Sequence, residues 1–189
     1  MRHKYAVQAL VLSRTPVGEA SELLALLTDE VGLVRARAQG TRSRGAKLAP
    51  ALVTFAESSM VLVRGKDGWR VAGAVLSESW FSRFGSSDAR GRAARVAALA
   101  LRLVPGEAPD RALLPIILAY FGELAEGAPE NRDAAEILAA LMVLSVLGLD
   151  RGEPESATEL FASEKLAQVA QSRAAYVARV NRGIAASGL

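Results

Sequence analysis

The sequence contains no cysteine, a single histidine (His3) and few aromatic residues, 5% of 189. Without cysteine there are no disulfides, no thiolate metal sites and no thiol nucleophile. One histidine excludes any site built on two imidazoles, and a Ser-His-Asp triad would have to recruit His3, the third residue of the sequence. Long apolar runs are also missing. The longest, 137–149, is too short to cross a membrane and long enough for a buried helix. Arg2-His3-Lys4 followed by the apolar run 5–12 has the outline of a signal peptide. However, Gln8 interrupts that run, Arg14 follows it, and no small-residue cleavage pattern appears. A soluble cytoplasmic protein is expected. Internal repeats and low-complexity tracts are absent too.

What is present is an ordinary globular composition, 51% hydrophobic and 23% charged, in a length that suits one domain of moderate size or two small ones. The formal net charge of +3 is unevenly spread. Residues 1–80 hold eleven Lys+Arg against seven Asp+Glu, whereas 81–189 hold twelve against thirteen. A basic surplus confined to the first half points toward a polyanion.

Up to about residue 77 the chain reads as short strands. Residues 5–13 are rich in Val and Leu and run into Arg14-Thr15-Pro16-Val17-Gly18, whose Pro and Gly predict a turn. Residues 21–28 have no clean period. Leu23, Leu24, Leu26 and Leu27 suit a helix or a strand, and the short length with Asp29-Glu30-Val31-Gly32 favours a hairpin. Residues 33–40 alternate, with Val34, Ala36 and Ala38 on one side and Arg35, Arg37 and Gln39 on the other. A short apolar piece at 50–55 suits one helical turn. Further strands at 58–64 and 69–77 flank Gly65-Lys66-Asp67-Gly68, a hairpin signal. Five short strands in about 75 residues is the content of a small barrel such as an OB-fold.

From residue 79 the pattern becomes helical. Helices are predicted over 88–104, stopped by Pro105-Gly106, and over 109–124, where Pro115 demands a kink or a late start. A third over 131–147, opened by Asn131 and closed by Gly148, is apolar nearly all round and therefore central. A single long helix is predicted over 163–186. The expected class is α+β, a five-stranded OB-fold barrel over 1–80 followed by an all-α helical domain over 81–189.

Residues able to carry chemistry are few. The segment 35–47 holds Arg35, Arg37, Arg42, Arg44 and Lys47 and no acidic residue. A strand face leading into a basic loop can follow a phosphate backbone, because planar guanidinium groups match phosphate oxygens. A solvated face with a basic loop fits the same residues. Residues 40–47 come near a Walker A loop, but Ala46 stands where Lys belongs and Lys47 is followed by Leu48, so the phosphate and Mg²⁺ contacts are missing. The hairpin adds Lys66 and Arg70 beside Trp69. An exposed Trp69 would stack on a base. With only Tyr5, Phe55, Trp69 and Trp80 as aromatics in the first half, a place in the core is favoured. A second group comprises Arg83, Arg90, Arg92, Arg95 and Arg102, opposed along the sequence only by Asp88. Arg92, Arg95 and Arg102 share a helix face that could extend an anion track, receive an acidic peptide, or simply be solvated. The carboxylates of the second half are scattered at helix ends and loops, without the pairing that acid/base chemistry needs. No nucleophile, metal set or acid/base pair assembles, so a non-enzyme without cofactor or metal is expected.

Several pieces also follow a known pattern in order and spacing. Ala9-Leu10-Val11-Leu12-Ser13-Arg14, Gly18-Glu19-Ala20-Ser21, Leu27-Thr28-Asp29-Glu30-Val31-Gly32 and Ala38-Gln39-Gly40-Thr41-Arg42-Ser43 resemble the N-terminal domain of the bacterial DNA-repair RecO family. Leu52-Val53-Thr54-Phe55 is similar to that family's L-x-P-F, with Thr54 replacing Pro, and Ser77-Glu78 falls at its A-E pair. The resemblance covers roughly residues 5–80. It implies an OB-fold, then a helical domain, and binding of single- and double-stranded DNA with strand annealing. It also implies recombination mediation, in which RecA is helped to replace single-strand-binding protein together with RecR. The expected location is cytoplasmic and nucleoid-associated. DNA contacts are expected from Arg35, Arg37, Arg42, Arg44, Lys47, Lys66 and Arg70. The acidic C-terminal tail of single-strand-binding protein is expected at the helical domain, near Arg90, Arg92, Arg95 and Arg102. The RecA filament is an indirect partner, and neither a membrane nor a small-molecule substrate is implied. Many members carry a four-cysteine zinc module that this chain cannot form, and the chain is shorter than a typical member. A competing expectation is an adaptor that binds the acidic tail with little DNA affinity; an RNA-binding barrel is a third.

Overall fold

A computed structural model describes residues 3–39, 48–107, 110–151 and 159–188. The chain divides into two compact units, Met1–Arg83 with Pro105–Leu114, and Phe84–Val104 with Pro115–Leu189.

The first unit is a closed five-stranded barrel of the OB-fold class. Its strands are β1 (Lys4–Val17), β2 (Ser21–Thr28), β3 (Gly32–Gln39), β4 (Ala56–Gly65) and β5 (Gly68–Ser79), in the order β1-β2-β3-β5-β4. The long β1 makes closure possible. Lys4 to Leu10 pair with β4 and Ala9 to Val17 with β2, with a bulge between Val11 and Ser13 that bends the strand from one neighbour to the other. The interior is filled by Val7, Ala9, Val11, Leu24, Leu26, Val34, Ala36, Ala38, Met60, Leu62 and Trp69, a mixture of small and large side chains that suits the taper of a narrow barrel.

The turn expected at 14–18 comes later. β1 continues through Pro16, which pairs with Glu22, and the chain reverses after Val17 with Gly18 at φ +69°. Pro16 is tolerated because β4 pairs only as far as Leu10, so the missing N–H falls on an open edge. The β2–β3 reversal owes its geometry to Thr28. The buried Thr28 hydroxyl accepts from Val31 N at 3.1 Å and donates to Gly32 O at 2.9 Å, while Gly32 adopts φ +74°. After a 3₁₀ turn at Ala49–Leu52, Phe55 sits at φ 65°, held by Phe55 N to Val11 O (2.8 Å) and Trp80 N to Phe55 O (3.2 Å). A one-turn helix, α1 (Trp80–Arg83), follows β5.

The second unit is all-α. Helix α2 (Ser87–Leu103) is capped by the Ser86 hydroxyl, which accepts from Ala89 N at 3.1 Å. Helix α3 (Leu113–Glu126) starts later than residue 109, leaving Pro115 in its first turn. Helix α4 (Arg132–Val146) is buried nearly all round and packs against α2, α5 (Ser163–Gln171) and α6 (Arg173–Ala186). The long terminal helix expected over 163–186 is therefore two helices. They break at Ser172 (φ −111°, ψ 29°), whose carbonyl accepts from Ala175 N at 3.0 Å and starts the second. Each segment packs on α4 separately, so the three- to four-residue spacing continues across a break that neither Pro nor Gly marks. Among the described residues no helix is long and apolar enough to cross a membrane.

The approach of α6 to α4 depends on Gly183. A Cβ there would lie 2.9 Å from Leu144 Cδ1 and 3.2 Å from Leu149 O, and Leu144 is fully buried. Gly183→Val is expected to destabilise the helical unit by about 1–3 kcal/mol through overpacking, despite removing a helical glycine. A fall in the melting temperature measured by circular dichroism checks this, and an unchanged or raised value would contradict it.

Candidate nucleic-acid interface

The barrel closes at its weakest seam. β3 and β5 run parallel and share only two register pairs, Ala36 with Trp69 and Arg37 with Arg70. On β3 the alternation foreseen from the sequence holds, with Val34, Ala36 and Ala38 buried and Arg35, Arg37 and Gln39 exposed. On β5, Trp69 points inward and Arg70 outward. The two cation-bearing positions therefore meet as neighbours on the outside of the barrel.

The β4–β5 hairpin extends this surface. Gly65 pairs with Gly68, leaving Lys66 and Asp67 as the loop, and Gly68 takes φ +99°, a geometry that glycine reaches at no steric cost. A groove of about 960 Å³ results, lined by Arg35, Arg37, Arg64, Lys66 and Arg70, with Asp67 as the one carboxylate of its wall among the described residues. Among the described residues, Arg35, Arg37, Lys66 and Arg70 have no ion-pair partner. Arg42, Arg44 and Lys47 lie outside the described residues, as does the Walker-like segment 40–47.

Like charges side by side across two strands destabilise a sheet. Arg37 beside Arg70 is such a pair. The repulsion is relieved when an anion sits between the two guanidinium groups, and phosphate is the anion whose geometry they match.

Trp69 is 5% exposed, packed edge-to-face on Tyr5 at 5.0 Å, and its Nε1 donates to Glu107 Oε1 at 2.9 Å. It serves the core, as its setting in the sequence favoured, and presents no face for base stacking. Arg64 lies over the outer side of the indole, 5.3 Å from the centroid, and ion-pairs with Glu107. Glu107 was not marked by the sequence, being 38 residues from Trp69 in a stretch that reads as the stop of a helix.

The arginines of α2 present a different picture. Arg92 Nε donates to Asp88 Oδ1 at 3.0 Å and Arg92 Nη1 to Glu136 Oε2 at 2.6 Å, while Arg95 Nη2 reaches Glu136 Oε2 at 2.8 Å. Asp133 joins through Arg92 and through Arg173, whose Nε donates to Oδ2 at 2.7 Å. The expectation that only Asp88 opposes this group is corrected. α4 supplies Glu136 and Asp133, which sequence distance concealed. Arg102 is exposed and Arg90 half-buried on the same helix.

An OB-fold barrel with a basic groove across its β3–β5 seam, in which Arg35, Arg37, Lys66 and Arg70 lack an ion-pair partner among the described residues, followed in sequence by a helical unit, is the architecture of this chain. Residues 1–79 match the family model described as "Recombination protein O N terminal". Over this domain the chain is similar to the recombination protein O family. A "DNA repair protein RecO" of Dehalococcoides mccartyi is 28% identical over 153 residues, covering 81% of this chain and 58% of that protein. One from a second strain of the same organism is 30% identical over 125 residues, covering 66% of this chain and 49% of that protein. A "DNA repair protein RecO" of Acaryochloris marina is 38% identical over 80 residues, covering 42% of this chain and 27% of that protein. The chain thus spans about half the length of the two Dehalococcoides proteins. A likeness over 153 residues necessarily extends beyond the barrel.

The helical ion network makes a pH prediction. The hydrogen bond from Arg173, helped by the positive charges of Arg173 and Arg92 and opposed by burial, holds the Asp133 carboxyl below its ordinary value of 3.8. A carboxyl depressed in the folded state contributes stability above its unfolded pKa and loses it as pH falls through the folded one. The stability gap between wild type and Asp133→Asn is therefore expected to be present at pH 7 and to close below pH 3.8. Urea titrations at pH 7, 5 and 3 measure it, and a gap that persists unchanged at pH 3 would overturn the assignment.

Proposed function

We propose that this chain is a non-enzymatic DNA-binding and strand-annealing protein of repair and recombination, which grips the phosphate backbone along the β3–β5 groove. The observation that carries the reading is the pairing of Arg37 with Arg70 on adjacent strands, flanked by Arg35 and Lys66, without a carboxylate partner among the described residues. The similarity of residues 1–79 to the N-terminal domain of recombination protein O supports the same reading. Arg42, Arg44 and Lys47 extend the basic run in sequence and are proposed to continue the contact. With the indole of Trp69 buried, affinity comes from charge rather than stacking, so binding is independent of base sequence.

In the cell this reading makes the chain a mediator. It acts with RecR to help RecA replace single-strand-binding protein, and it receives that protein's acidic tail on the helical unit. The adaptor alternative depends on the α2 arginines. Arg92 and Arg95 already hold Asp88 and Glu136, so an acidic tail would have to displace internal carboxylates to reach them. Arg35, Arg37, Lys66 and Arg70 need no such displacement, which favours DNA.

Fluorescence anisotropy of a labelled 30-mer single strand, titrated at several salt concentrations, tests the proposal. If Arg35, Arg37, Lys66 and Arg70 each meet a phosphate, log K should fall against log salt with a slope of at least about −2.8, at ~0.7 per phosphate. Reversing Arg37 and Arg70 to Glu should weaken binding roughly tenfold or more, equally for all sequences. Loss confined to some sequences, or tight binding that ignores both reversals, would defeat the backbone reading. A peptide ending in the acidic tail, added as competitor, separates the adaptor: peptide binding with no DNA binding would put it in first place.

A further inference from the structure

We propose that Glu107 is a built-in competitor for the groove. Its carboxylate occupies Arg64 in the place a DNA phosphate takes, and so limits the affinity of the interface. The inference rests on the DNA-binding reading above and concerns the regulation of that same site.

Glu107 belongs with the barrel unit although it follows α2 in sequence. Gly106 anchors the segment, with Leu33 N donating to Gly106 O at 3.3 Å at the start of β3, and its φ of +103° suits glycine. From that anchor Glu107 reaches the β4–β5 hairpin. One carboxylate oxygen accepts from Trp69 Nε1 at 2.9 Å and the other pairs with Arg64. The strap thus ties the two strands on either side of the seam where the basic groove lies.

The two contacts differ in what they require. The indole N–H is part-buried and needs an acceptor, which a neutral amide oxygen could equally provide. Arg64 is 54% exposed in its side chain and lines the groove with Arg35, Arg37, Lys66 and Arg70. An exposed arginine does not need a carboxylate for its own solvation, and an exposed ion pair is worth little. A phosphate bearing the same fork of oxygens can therefore take Arg64 at small cost. The one groove cation that has an internal anion is the one beside the strap. A carboxylate at that position also repels the backbone of a bound strand until it moves aside.

The test uses the whole chain with a labelled thirty-residue oligothymidine. Glu107→Gln keeps an oxygen for Trp69 and removes the charge. It is expected to bind roughly two- to fivefold tighter at low salt, the worth of one exposed charge pair. The salt slope should steepen by about 0.7, the share of one more phosphate. The gain should vanish in an Arg64→Ala background, as a double-mutant cycle requires. Glu107→Gln binding at wild-type strength or more weakly, in a chain that still melts cooperatively, would overturn the proposal and leave Glu107 a seam contact only. A second readout does not need that variant. In Trp80→Phe, Trp69 is the sole indole, and its emission should shift on DNA binding as the Arg64–Glu107 pair beside its ring opens; constant emission at saturation contradicts that displacement. The two levels separate cleanly. If wild type binds DNA and loses it on reversal of Arg37 and Arg70 while Glu107→Gln changes nothing, the competitor alone fails. If neither wild type nor Glu107→Gln binds DNA, the DNA-binding reading fails and this inference falls with it.

Discussion

Closure of the barrel at the β3–β5 seam is the constraint on which the rest of the first unit depends. Every other strand junction is a long antiparallel ladder, whereas this one has two parallel register pairs. The inward half of the seam is therefore made by packing, with Ala36 against Trp69 in a cluster that also holds Val34, Ala38 and Leu62. The outward half cannot be made the same way. Its positions alternate to the exposed side and carry Arg35, Arg37 and Arg70. The same register that buries the indole brings two guanidinium groups together, so core and basic surface are consequences of one pairing. A one-residue slip would turn the arginines inward and the small apolar residues out, which the narrow interior forbids.

The arginines of α2 and the four unpaired cations of the groove are treated in opposite ways, and the contrast is physical. In the helical unit, Arg92 and Arg95 meet carboxylates from α2 and α4, and Glu136 accepts from both. The Arg92–Glu136 pair is partly buried, where an uncompensated charge costs most, and it ties α2 to α4. On the groove face Arg35, Arg37, Lys66 and Arg70 stand in water, where an unpaired charge costs little by itself. Their mutual repulsion is the cost, and a polyanion removes it. Counting arginines in the sequence cannot distinguish the two cases, because two of the three carboxylates that meet Arg92, namely Asp133 and Glu136, lie more than forty residues further along the chain.

Local pattern made much of this architecture readable. The alternation of 33–39 fixed which face of β3 is polar, and Lys66-Asp67-Gly68 marked the hairpin through the one residue free to take a positive φ. The β2 segment was ambiguous because its middle is buried on both faces, which erases the two-residue period. The run through Pro16 misled because tolerance of proline depends on whether a neighbouring strand needs its N–H, a tertiary fact. The break at Ser172 left no trace either, since both helices bury the same kind of stripe on α4. Within the site, residues close in sequence were found and residues joined by topology were not. Arg37 and Arg70 were both named without their adjacency, and Glu107 was invisible because its role is defined only by the folded positions of Trp69 and Arg64.

The scarcity of aromatics noted at the outset completes the argument about recognition. A small barrel has room for few large side chains, and this one spends Trp69 in its core, with Tyr5 against it. An indole committed to the core cannot also stack on a base. What is left on the surface is charge arranged along a groove, and charge reads the phosphate spacing shared by every strand rather than the bases that distinguish one from another. Such a surface suits a protein that must bring together strands of any sequence. It also needs a limit, because a polycation that binds every phosphate backbone releases none easily at low salt. A carboxylate held beside the groove supplies that limit from within the fold, by giving one cation an alternative partner whose hold is as weak as solvent allows.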